Sequence, residues 1–157
     1  MSNTSIRIRG LSCACGLTLV LLAGDASALF IVNLPWLRPA ASGQSTELYM
    51  NLTSTDGATL VAVRTGDAAQ VVIHGGGKGA RVVPQLPLPA KTLVALAPGK
   101  DHIKLVKLAR TFKVGDRLAL TLIIEGADGV RQEIPLVVEV RNRSVLDDER
   151  RAHGHAH

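Results

Sequence analysis

From Phe30 to Val140 the apolar residues come in short runs, cut by turn residues every eight to twelve positions. The breaks fall at Ser42-Gly43, Asp56-Gly57, Gly66-Asp67, Gly75-Gly76-Gly77, Pro98-Gly99, Gly115-Asp116 and Asp128-Gly129, residue types that accommodate tight turns. Within the runs apolar and polar positions alternate. Side chains of a strand point to opposite faces in turn, so Leu118, Leu120, Leu122 and Ile124 share one face. Ile134, Leu136, Val138 and Val140 share another. No stretch holds a 3.6-residue period with capping signals. The pattern predicts an all-β domain over residues 29–140, built as an antiparallel sandwich or small barrel.

The two ends of the chain read differently. Residues 1–28 predict a secretory signal peptide: Arg7 and Arg9, an uncharged apolar stretch from Leu11 to Gly24, then Ala26-Ser27-Ala28 as a cleavage site. That apolar stretch is shorter than the roughly 18–20 residues that span a bilayer, so no stable membrane anchor is expected after cleavage. Both cysteines, Cys13 and Cys15, leave with it. A mature protein beginning at Leu29 then has neither disulfide nor thiolate chemistry, which suits a periplasmic location. Residues 141–157 predict a mobile polar tail ending in His153-Gly154-His155-Ala156-His157.

Composition narrows the function. Aromatics are only 3% of the chain, so the core must be aliphatic and the stacking platforms of single-strand nucleic-acid binders are missing. Nucleic acid is not expected as a partner. No phosphate-binding glycine loop, GxSxG elbow or HExxH helix is present, and no serine or carboxylate is spaced to work with a histidine. The reading is non-enzymatic. Candidate chemistry rests on five histidines. His74 closes the run Val71-Val72-Ile73 before a glycine loop, and His102 follows the Pro98-Gly99 turn. Both are predicted at strand ends, where they either converge on one rim or are two unrelated surface residues.

Several segments, in order, tip that balance: Trp36-Leu37-Arg38, Tyr49-Met50-Asn51-Leu52, Val72-Ile73-His74, Leu88-Pro89-Ala90, Leu96-Ala97-Pro98-Gly99, His102-Ile103 and Gly115-Asp116-Arg117-Leu118. With these the chain resembles the PCuAC family of periplasmic copper chaperones. The resemblance implies a Greek-key, cupredoxin-like β-sandwich and a copper site at His74 and His102. It also implies a partner that accepts copper, such as an oxidase-assembly protein. The family's Cu(I) site adds two methionines, because soft thioethers favour Cu(I). Here the corresponding positions are Ala80 and Lys104. Met50 sits in a predicted strand and is read as core.

An ammonium at Lys104 repels a cation and offers no lone pair. From Lys78 to Arg117 nine basic residues face two acids, Asp101 and Asp116, which disfavours free cation capture. A second reading is therefore a degenerate sandwich that has lost its metal and serves as an interaction module. The tail offers a separate route. His153, His155 and His157 alternate along it and can wrap around Cu(II), with zinc a further possibility.

Overall fold

The computed structural model describes residues 29–154. Ten strands follow one another: β1 (Phe30–Leu37), β2 (Thr46–Ser54), β3 (Ala58–Arg64), β4 (Ala68–Gly75) and β5 (Arg81–Val83), then β6 (Leu86–Leu88), β7 (Val94–Leu96), β8 (His102–Leu108), β9 (Arg117–Gly126) and β10 (Arg131–Val140). A helix, α1 (Val145–Gly154), follows them. The strands form one hydrogen-bonded path, β5-β4-β8-β2-β1-β10-β9-β3-β6, with β7 added against β2. The path folds over on itself. Leu48 and Leu105 from one half and Leu60, Leu118 and Leu122 from the other are buried in a single cluster. This is the all-β, cupredoxin-like architecture expected, as a nearly closed sheet.

The alternation sets the faces as the sequence predicts. Leu118, Leu120, Leu122 and Ile124 are buried, and Val138 and Val140 face the same core from β10. The turn after β9 uses Gly129 with φ of 78°, and the hairpin register sets Arg131 opposite Glu125, 2.8 Å apart. The path ends on β5 and β6, three residues each. Edges that short offer little template for pairing with another chain.

Two features correct the sequence reading. The sheet is not antiparallel throughout: β1 and β10 run parallel, with Trp36 opposite Glu139 and Leu37 opposite Val140. The seam is short because β1 bulges between Asn33 and Trp36, where Leu34 takes a φ of 52° before Pro35. Proline has no N–H to give a ladder. Pro135 likewise lies in the part of β10 that pairs only with β9.

The second correction concerns the tail, expected to be mobile: its residues 145–154 form α1. The Ser144 hydroxyl accepts a hydrogen bond from the Asp147 N–H at 3.2 Å, satisfying an amide at the helix start. Asp147 and Asp148 lie in the first turn, where carboxylates complement the helix dipole. Asp148 also meets Arg143 at 3.1 Å and Arg141 at 3.7 Å, tying the helix back to the end of β10. Leu146 shares a groove of about 350 Å³ with Trp36, Met50 and Leu93.

Candidate metal centre

β4 ends in Val72-Ile73-His74-Gly75, and β8 begins with His102. Their antiparallel register places His74 opposite His102. The two imidazoles stack, with centroids 4.5 Å apart and planes within 16° of parallel. The loop after His74 is built on glycine. Gly76, Gly77 and Gly79 have φ of 104°, 73° and 80°, a conformation side-chain-bearing residues rarely adopt. The Gly77 N–H donates to Asp101 Oδ1 at 2.6 Å, so the loop beyond one histidine is fastened to the residue before the other.

Strand periodicity brings further groups onto this face. Lys104 is two residues from His102 and therefore on its side of the sheet. Glu47, on β2, pairs in register with Lys104. Tyr49 shares the face with Glu47, and its hydroxyl donates to Glu47 Oε2. The Tyr49 ring lies 6.5 Å from that of His102 on one side and 4.6 Å from that of Trp36 on the other. Arg38 sits over Tyr49, 5.5 Å from its ring centre. A row of rings thus runs Trp36, Tyr49, His102, His74. His102 Nδ1 is 2.8 Å from the Lys100 carbonyl oxygen, to which it donates. Its Nε2 lies 3.8 Å from Glu47 Oε1.

Burial holds the His74 imidazole below its ordinary pKa, and the neighbouring His102 and Lys104 add to the depression. A hydrogen bond with the Ala80 backbone and the charge of Glu47 pull the other way. His74 is accordingly neutral at pH 7, with a lone pair to offer. Burial also pushes the Tyr49 phenol well above its usual range, reinforced by its hydrogen bond to Glu47 and that residue's charge, while Arg38 opposes. Tyr49 stays protonated and acts as a donor.

The structure therefore brings together His74 and His102. It sets Lys104 beside His102 and the Ala80 backbone against His74, the two positions where thioethers would be expected. Met50 is 2% exposed, in the core. Among the described residues, no three histidine, cysteine, aspartate or glutamate side chains stand close enough to enclose an ion as they lie. His153 falls in the last turn of α1. His155, His157 and the signal segment lie outside the described residues. Glu47 and Tyr49 are the site residues that sequence reasoning missed. Their signal was Glu47 and Tyr49 at i and i+2 on a strand, a pattern that has meaning only once β8 lies beside β2.

The family profile described as "putative lipoprotein LpqE-like" matches residues 31–136, nearly the whole run of strands. The chain belongs to the LpqE-like family. No curated protein matches this LpqE-like chain, but solved structures do. The apo PCuAC domain from PmoF1 is 28% identical, with a TM-score of 0.65 over 73% of this chain and 94% of that one. The copper-bound PCuAC domain from PmoF2 is 25% identical, with a TM-score of 0.57 over 71% and 93%. The Cu(I) form of DR1885 from Deinococcus radiodurans is 28% identical, with a TM-score of 0.59 over 75% and 83%. The resemblance to PCuAC domains read from the sequence is thereby borne out, and with it a copper-chaperone-like fold for the LpqE-like chain.

Proposed function

We propose that this protein is a non-enzymatic copper-handling domain, exported to the periplasm, that buffers copper or delivers it to an accepting protein such as an oxidase-assembly factor. His74 and His102 are its ligands, and His153, His155 and His157 capture metal from the tail. The observation that carries the reading is the cross-strand histidine pair, two stacked imidazoles 4.5 Å apart. Its support is the likeness to domains solved with copper and the family's description as putative lipoproteins. Burial favours neutral His74, and His102 has Nε2 as its metal-binding atom because Nδ1 is engaged with the Lys100 carbonyl. Two nitrogen donors without sulfur hold copper less firmly than a four-ligand site, which suits cargo that must be released.

The test uses the chain with His153, His155 and His157 all replaced by alanine, so that the tail contributes nothing. Adding His74→Ala and His102→Ala should weaken Cu(I) at least tenfold in competition with a colorimetric chelator. Parental affinity after both substitutions overturns the reading. That outcome favours the interaction module instead, for which the specific observation is Lys104, a cation on the histidine face.

A further inference from the structure

We infer that Glu47 is a third metal donor beside His74 and His102, and that the site this makes selects divalent ions over Cu(I). The inference rests on the histidine pair being a metal site and adds its ligand set and preferred charge.

His102 Nδ1 is engaged with the Lys100 carbonyl oxygen, and Nε2 on the other side of the ring stands 3.8 Å from Glu47 Oε1. A nitrogen and a carboxylate oxygen thus face each other across a gap that a metal ion fits. Metal–nitrogen bonds of about 2.0–2.1 Å and metal–oxygen bonds of about 2.0–2.2 Å sum to roughly 4 Å, so a bent N–metal–O unit spans the observed gap.

The placement of the carboxylate supports the same role. In the strand register Glu47 lies opposite Lys104. Yet the basic side chain that meets its carboxylate, among the described residues, is His102. The Tyr49 hydroxyl binds Oε2 and leaves Oε1 on the side of His102. Ligating carboxylates are commonly held by such an outer hydrogen bond, which fixes their orientation. The negative charge of Glu47 also offsets the ammonium of Lys104, the main electrostatic obstacle to a cation here.

The third corner is His74, stacked against His102 and adjacent to it across the strands. Enclosing an ion requires this ring to turn out of the stack so that its lone pair meets the other two donors. The set then comprises two imidazoles and a carboxylate. Thioethers select Cu(I), imidazole accepts Cu(II) and zinc, and a carboxylate favours harder cations. A site in which Ala80 and Lys104 occupy the thioether positions and Glu47 supplies oxygen has changed its preference as well as its ligands.

The experiment uses the chain lacking the three tail histidines, with Glu47→Gln, Tyr49→Phe and the His74→Ala/His102→Ala pair made in that background. Cu(II) and Zn(II) are titrated calorimetrically, Cu(I) by chelator competition, and circular dichroism checks the fold. Glu47→Gln should weaken Cu(II) and Zn(II) at least tenfold while Cu(I) changes by less than about twofold. Tyr49→Phe should weaken the divalent ions by a smaller factor. The Cu(II) paramagnetic resonance spectrum should change on Glu47→Gln as an oxygen donor is lost. If the histidine pair matters but Glu47→Gln leaves Cu(II) affinity and spectrum as in the parent, the carboxylate is no ligand and only this inference falls. An equal loss of Cu(I) and Cu(II) on Glu47→Gln overturns the selectivity. If the histidine pair itself changes nothing, the copper reading fails and this inference with it.

Discussion

Replacing Ala80 and Lys104 together by methionine should raise Cu(I) affinity on the order of a hundredfold, about 2.8 kcal/mol. The substitutions supply the two soft donors the site lacks and remove a repelling ammonium. Geometry favours both positions. Lys104 shares a strand face with His102, and Ala80 closes the glycine loop that follows His74. Lys104→Met alone should give part of the gain, because its side chain already lies on the histidine face. The measurement is chelator competition in the chain without tail histidines. A double variant that competes no better than its parent shows that the scaffold does not hold the geometry of a thioether–imidazole site.

Phe112→Ala should destabilise the domain by about 3–5 kcal/mol. Phe112 is 1% exposed and belongs to a buried cluster whose other members are aliphatic side chains. Its backbone forms an isolated bridge with Ala40, through hydrogen bonds of 3.1 and 2.9 Å, which ties the segment after β8 to the segment after β1. The Arg110 guanidinium lies 3.9 Å from the ring centre and loses a cation–π contact worth about 0.5–1 kcal/mol at exposed sites. Urea unfolding should show the shift as a lower midpoint. A loss below about 1 kcal/mol means that the core closes over the gap.

Much of this architecture was legible because strand faces follow from alternation. The run from Leu118 to Ile124 could be placed on the core face before any pairing was known. The pairing of His74 with His102 was legible in a weaker form, through the turns beside each. What escaped were relations between distant segments. The parallel seam of β1 with β10 joins residues about a hundred positions apart, and no local pattern encodes it. Glu47 and Tyr49 look like ordinary strand residues until β2 is laid against β8. Helix α1 escaped for another reason: ten residues, most of them polar, carry little hydrophobic period. Its start at Ser144-Val145-Leu146-Asp147 is a local capping signal among charges.

The row of rings on the histidine face has an optical consequence. Trp36 is the only tryptophan in the sequence, is 5% exposed, and stands at the far end of that row from His74. Tyr49 touches it on one side and reaches His102 on the other. The protein's intrinsic emission therefore comes from one indole, shielded from solvent and two ring contacts from the imidazoles. A paramagnetic Cu(II) ion at the histidines should quench that emission, whereas closed-shell zinc at the same place should not. In the chain without tail histidines the dimming of Trp36 reports the His74–His102 pair alone. The fold thus carries its own gauge of occupancy, with no label added.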